Sequence, residues 1–165
     1  MARGGSTTHP TRIYVVRHAK ARGREEYLGR DSLRPLSGAG RKQAQALVAG
    51  LSRPGADLVL SSPAVRCVQT VEPAAAALGL AVEERRWLAE GTSGSKALEM
   101  LLTAAADLAG LVVCTHGDVI WGLLDQLLED GVELDASSVA QKASTWELTV
   151  SDHAVSTAHY RAPPS

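Results

Sequence analysis

Arg17, His18, Arg66 and His116 are the side chains of this sequence best suited to chemistry on an anion. Each follows a short apolar run. Arg17-His18 follows residues 13–16, Ser61-Ser62-Pro63 with Arg66 follows residues 57–60, and Thr115-His116-Gly117 follows residues 111–114. Arginine keeps its charge and offers a planar fork of donors that can grip phosphate oxygens in pairs. Imidazole offers a nitrogen nucleophile once it is neutral, and neighbouring cations lower its pKa and favour that form. A second imidazole can donate to the equatorial oxygens of a phosphoryl group. Transfer of such a group needs little from a protein beyond positioning and charge stabilisation. A lone histidine at a strand end is ordinarily structural. It is the four side chains together, in matching topological slots, that carry the functional reading.

The elements that must position them follow from pattern. Residues 13–16, 57–60, 80–83 and 111–114 read as strands. A helix is predicted from Ser37, whose hydroxyl can cap it, with Ala44, Leu47, Val48 and Leu51 at helical spacing and Pro54-Gly55 as its stop. A second helix is expected to open with Pro63 near its first turn and to end near Gly79, kinked or broken at Pro73. A third helix is predicted over 96–108 and a fourth over 118–129, ended by Gly131 and carrying Val119, Ile120, Leu123, Leu124, Leu127 and Leu128. Residues 146–150 and 155–160 read as a final hairpin. This order predicts an α/β three-layer sandwich, with a mostly parallel central sheet and helices on both faces. Ligands of open α/β sheets bind beyond the carboxyl ends of the strands, so the polar slots should converge on one edge. Residues 19–36 are too long for an idle connection and are expected to form a functional loop. Its Lys20, Arg22, Arg24 and Arg30 read first as solvated surface charge and second as recognition of an anionic substrate.

Composition narrows the rest. One domain is expected over 11–165, behind a Gly/Ser/Thr-rich, disordered lead-in at 1–10. With a net charge of −1 there is no general basic field, so nucleic acid is not expected as a partner. Aromatics make up 4% with no Phe, so the core must rest on Leu, Val and Ala. Cys67 and Cys114 sit in apolar runs and read as reduced thiols of a cytoplasmic protein. No signal peptide or membrane span is expected. Neither cysteine is followed six residues later by Arg. No P-loop, dinucleotide fingerprint, HExxH or CxxC occurs, so neither metal nor another cofactor is expected. His153 and His159 read as edge histidines. Trp87, Trp121 and Trp146 read as core or pocket wall, with Trp87 nearest the mouth. Nothing signals a dimer.

The motifs resemble those of the histidine phosphatase superfamily. Val15-Val16-Arg17-His18-Ala19-Lys20 is similar to its RHG-type signature, with Ala19 where Gly is common. Arg34-Pro35-Leu36-Ser37 before Gly40, Ser61-Ser62-Pro63 with Arg66 and Gln69-Thr70, and residues 112–117 follow in the family's order. The Arg-Pro-Leu-Ser element and the short chain resemble the SixA-like branch. Residues 65–73 and 142–146 also resemble the phosphatase domain of actinobacterial MutT-type Nudix fusion proteins, although no Nudix box is present. The resemblance implies transient phosphorylation of His18, a phosphate clamp of Arg17, Arg66 and His116, and hydrolysis of the phosphohistidine by water. Glu90 stands about where mutase-like members place their general acid, and reads equally as an exposed loop carboxylate. Asp118 is its rival, and reads more readily as a cap of the helix that follows. The implied substrate is a phosphorylated small molecule, a nucleotide or a protein phosphohistidine. A phosphoglycerate-type mutase and a non-catalytic phosphate-binding module are the competing readings. A short chain should leave the pocket open, without a lid over His18.

Overall fold

The structure, a computed structural model, describes residues 9–53, 55–137 and 139–165. Residues 1–8 of the lead-in expected over 1–10, and the helix stop Pro54, lie outside them. A six-stranded sheet runs in the order β3-β2-β4-β1-β5-β6. β1 is Thr11–Arg17, β2 Leu58–Ser61, β3 Val82–Glu84 and β4 Gly110–Thr115, and these pair in parallel. β5 (Thr145–Ser151) runs antiparallel to β1, and β6 (Ala154–Arg161) closes the expected hairpin.

Alternation along β1 shows why the sheet is covered twice. Ile13 and Val15 face one core, and Tyr14 and Val16 the other. The second core is roofed by α1 (Gly38–Ala46), α2 (Val48–Ser52) and α3 (Val65–Leu78), through Leu47, Leu51, Cys67 and Val71. The first is roofed by α4 (Gly94–Ala105) and α5 (Gly117–Glu129), through Leu101, Ile120, Leu123 and Leu124. Each fully buried Leu or Ile here contributes roughly 1.5–3 kcal/mol. The chain is thus the α/β three-layer sandwich expected, and no helix among the described residues is long and apolar enough to cross a membrane.

Local chemistry sets the helix ends. Ser37 Oγ accepts from Gly40 N–H at 3.0 Å and caps α1 as expected. Ser93 caps α4 in the same way, so this helix starts ahead of the predicted Lys96. Gly79 closes α3 at φ 72°, where the missing Cβ removes the left-handed penalty. Pro63 stands two residues ahead of α3, near its first turn as expected, and Ala64 between them is still extended. One expectation is corrected. Pro73 does not break α3, which runs on to Leu78: the one hydrogen bond proline forfeits is outweighed by burying Val71, Ala74 and Ala75 on the same helix.

The register is what brings the polar slots together. Arg17 lies opposite Thr115 on β4, and Ser61 lies opposite Cys114. The carboxyl ends of β1, β4 and β2 therefore sit side by side.

Candidate active site

His18 is the first residue past β1. Its N–H still reaches Thr115 O at 3.1 Å, which holds the turn to the end of β4. Its Nδ1 lies 2.8 Å from Ala19 O. A carbonyl can only accept, so Nδ1 carries the proton and Nε2 keeps its lone pair. Ala19 is itself fixed: its N–H donates to Thr70 Oγ1 at 2.9 Å, and that hydroxyl donates to Arg66 O at 2.6 Å. His18 is only 7% exposed. Burial first, then the fields of Arg66, His116 and Arg17, lower its pKa to about 3, against the opposing hydrogen bond to Ala19. The imidazole is neutral at pH 7.

The other three side chains surround it. The rings of His18 and His116 are 5.5 Å apart, edge to face. Ser62 Oγ takes a hydrogen bond from Ala64 N–H at 3.3 Å and lies 2.8 Å from His116 Nε2. Nδ1 of His116 faces the carboxylate oxygen Glu90 Oε1 at 3.2 Å, which favours the proton on Nδ1 and leaves Nε2 to accept from the Ser62 hydroxyl. Cys67 Sγ, at 3.6 Å, lies on the same Nε2. Arg66, 2% exposed, donates from Nη1 to Asp31 O at 2.9 Å. Its Nη2 donates to Asp31 Oδ2 at 3.2 Å and to Glu90 Oε1 at 2.6 Å. Arg17 donates from Nη1 to Ala140 O at 2.6 Å and lies over the Trp121 ring, 5.5 Å from its centre. Gly117 makes room for it, since a Cβ there would stand 2.9 Å from the guanidinium carbon.

Three buried donors of this group have no hydrogen-bond partner among the described residues: Arg17 Nε, Arg66 Nε and His116 Nδ1. Burying a donor unpaired costs about 1–3 kcal/mol, more when it is charged. Three such donors beside a neutral imidazole form a place for an anion.

Glu90 is no idle loop carboxylate. Besides its bond to Arg66, its Oε1 stands 3.2 Å from His116 Nδ1, outside hydrogen-bonding geometry. Asp118, read above as a helix cap, does not cap α5: it sits in the first turn, and its Oδ2 accepts from Gly91 N–H at 2.8 Å. It thus anchors the loop that presents Glu90. Asp31 was not singled out by sequence. It ties the long loop to the site by pairing with Arg34 at 3.0 Å and Arg66 at 3.2 Å. Burial alone would raise its pKa, but the hydrogen bond from Arg34 and the charges of Arg66, Arg34 and Arg24 bring it below the usual carboxylate range. An acidic residue in a loop of arginines gave no periodicity to find it by.

These groups open into a cavity of about 1330 Å³. Lys20, Arg22 and Arg24 are solvent-exposed, as read above, and also line it; Arg30 does not line it. The tryptophan at the mouth is Trp121, 44% exposed; Trp87 packs on the α4–α5 core and Trp146 is fully buried, donating to Val139 O. His159 is an exposed edge histidine paired with Asp135, and His153 lies in the β5–β6 turn. Cys67 and Cys114 are free and buried. Among the described residues no group of three or more His, Cys, Asp or Glu is arranged to hold a metal.

Comparison with known proteins agrees with this geometry. Residues 13–96 match the family model of the histidine phosphatase superfamily (branch 1). The chain is 37% identical over 155 residues to an 8-oxo-(d)GTP phosphatase of Mycolicibacterium smegmatis, covering 92% of this chain but 48% of that protein. It thus spans about half the length of this relative. Among solved structures it is similar to the protein assigned as the phosphohistidine phosphatase SixA of Agrobacterium tumefaciens, at TM-score 0.71 and 26% identity, over 94% of this chain and 99% of that one. The tungstate complex of a protein histidine phosphatase SixA shares the fold at TM-score 0.75 and 19% identity, over 94% and 97% of the two chains. With its fold, its motif order and its family match in accord, the chain belongs to the histidine phosphatase superfamily, on its SixA-like branch.

Proposed function

We propose that the chain is a phosphohydrolase in which Nε2 of His18 attacks phosphorus. The observation that carries this reading is the set of three orphaned buried donors around a neutral, tautomer-fixed imidazole. Nε2 forms the N–P bond as the bond from phosphorus to the leaving group breaks, and the leaving group takes the electron pair. Arg17, Arg66 and His116 meet the negative charge on the equatorial oxygens. Glu90, beside Arg66 and His116, is the carboxylate positioned to give a proton to the leaving group. In the second step water attacks the phosphohistidine, Glu90 takes its proton, the P–N bond breaks, and phosphate and neutral His18 result.

The substrates are phosphorylated small molecules, nucleotides included, or phosphohistidine of a protein. The relative from Mycolicibacterium smegmatis supports a nucleotide, and the SixA likeness supports phosphohistidine. Free thiols at Cys67 and Cys114 support the reducing cytoplasm as the compartment.

The test is a panel of phosphoesters and phosphoramidates on wild type and His18→Ala. Wild type releases phosphate and gives acid-labile, alkali-stable labelling of the protein. The substitution lowers turnover by at least about 10³-fold while the chain stays folded. Equal turnover by both proteins would falsify the nucleophile assignment. Phosphate transfer to monophosphoglycerate would favour a mutase, and phosphate binding without release a non-catalytic module.

A further inference from the structure

The clamp around His18 accounts for one phosphoryl group, yet most of the positive charge in the cavity lies outside it. Lys20, Arg22, Arg24, Arg34, Arg41 and Lys142 line the cavity in addition to Arg17 and Arg66. Of the six, only Arg24 and Arg34 form an ion pair among the described residues. Both pair with Asp31, Arg24 at 3.9 Å with its side chain 74% exposed. Lys20, Arg22, Arg41 and Lys142 form none. One carboxylate, Glu26, shares their wall; Glu90 and Asp118 are committed to Arg66 and to Gly91 N–H. The net charge of the whole chain is −1, so this excess is local.

The backbone that carries Lys20, Arg22 and Lys142 is itself held in place. Ala21 and Leu36 form an antiparallel bridge that fixes the chain between Lys20 and Arg22. Arg22 N–H donates to Pro35 O at 2.9 Å, and Arg22 O accepts from Arg34 Nη1 at 2.7 Å. Lys20 is held twice, its N–H on Gln43 Oε1 at 2.9 Å and its O accepting from Ser37 N–H at 2.9 Å. Lys142 precedes Ala143, whose N–H bonds to Arg17 O and His18 O at 3.1 and 3.3 Å. Lys142 is thereby fixed one residue from the backbone that carries the nucleophile. Its ammonium feels its neighbours: burial, then Arg17, Arg34, Lys20 and Arg24, lower its pKa. Like charges gathered with so few counter-charges destabilise the empty site and favour any anion that spans them.

We propose that this wall is a second anion subsite, built by Lys20, Arg22, Arg24, Arg41 and Lys142, which takes the inner phosphates of a small substrate bearing a phosphoanhydride chain. The terminal phosphoryl group then lies at His18 and the rest of the chain lies along the cations. The volume fits, because about 1330 Å³ exceeds the roughly 300–1,000 Å³ usual for small-molecule sites and far exceeds one phosphate. The chemistry fits too. Nε2 of His18 bonds to the terminal phosphorus, the bridging P–O bond breaks, and the leaving phosphate keeps its electron pair on an oxygen stabilised by the same cations. Such a leaving group needs little help from Glu90. Trp121, exposed at the mouth, offers an aromatic surface to the organic end.

This inference rests on the phosphohydrolase reading and is tested separately from it. The first arm measures binding by calorimetry on His18→Ala, with inorganic phosphate and pyrophosphate as probes. Pyrophosphate is expected to bind at least about tenfold more tightly, and Lys142→Ala with Arg24→Ala in that background is expected to remove most of the difference. The second arm compares kcat/KM for the mono-, di- and triphosphate of one nucleoside and for a phosphohistidine peptide. The di- and triphosphate are expected to lead, and the double variant to lose more on them than on the monophosphate. Equal affinity for the two probes, or a uniform loss on all substrates, overturns the subsite. A phosphohistidine peptide that outpaces the di- and triphosphate overturns it in favour of a protein substrate. Phosphate release from none of them, with tight pyrophosphate binding, overturns the hydrolase and keeps the subsite.

Discussion

At the scale of single residues, protons decide the site. Ala19 O fixes the tautomer of His18, and Ser62 Oγ on Nε2 together with Glu90 Oε1 near Nδ1 sets that of His116. Ser62 is therefore a positioning residue. Ser62→Ala is expected to cost about 1–2 kcal/mol of transition-state stabilisation, roughly tenfold in kcat, with Ser62→Thr restoring part of it. The ¹⁵N shifts of the His116 ring check the cause: they should report a mixed tautomer in the Ala variant, and an unchanged ring would remove Ser62 from the argument. His18 also links the site to stability. It binds a proton near pH 3 when folded and near 6.5 when free. Between those values the unfolded chain holds more protons, so its contribution is complete above about pH 6.5 and falls as the pH drops towards 3, by up to about 1.4 kcal/mol per unit. His18→Asn should flatten that slope. Urea unfolding of both proteins at neutral and mildly acid pH measures it, and parallel slopes would count against a neutral, buried His18.

At the scale of elements, the long loop between β1 and α1 is a wall of the site more than a connection. Its docking depends on a close approach: a Cβ on Gly40 would fall 1.9 Å from Lys20 O. Both partners are backbone, one in a capped helix and one held by Gln43, so neither can yield cheaply. Gly40→Ala is expected to destabilise the fold by about 3 kcal/mol and to displace the Lys20–Arg22 wall. The midpoint of urea unfolding reports the first, and a weaker affinity for phosphate the second. Asp31 and Asp118 act at this scale as well, the first tying that loop to Arg66 and the second tying the Glu90 loop to α5.

At the scale of the whole molecule, one edge of the sheet gathers charge that the rest of the surface balances. A net −1 chain carrying a cationic cleft concentrates field lines where the substrate enters. For an anionic substrate, kcat/KM is expected to fall several-fold between about 20 and 200 mM salt, while kcat moves less, because screening acts on encounter more than on the buried clamp. A kcat/KM indifferent to salt would mean that the rim cations play no part in capture. The order β3-β2-β4-β1 makes this focusing possible, since it sets the ends of β1, β2 and β4 side by side.

The sequence by itself determined the layers and the gathering of Arg17, His18, Arg66 and His116 at one sheet edge. Apolar runs with a period of two for strands and near 3.6 for helices are written locally, and Arg17, His18, Arg66 and His116 each stand at the end of such a run or one turn beyond it. Ser37 by its hydroxyl and Gly79 by the Cβ it lacks mark helix ends, so they too are legible without coordinates, whereas the cap at Ser93 was not read from sequence. Tertiary structure decided what depends on partners distant in the chain. The passage of α3 through Pro73, the use of Asp118 on Gly91, the hold of Asp31 on Arg66 and the place of Trp121 at the mouth all arise from contacts between separate segments. Charge in a loop has no period to betray which way it faces. Whether Lys20, Arg22 and Arg24 meet water or a substrate is settled only by where the folded backbone sets them down.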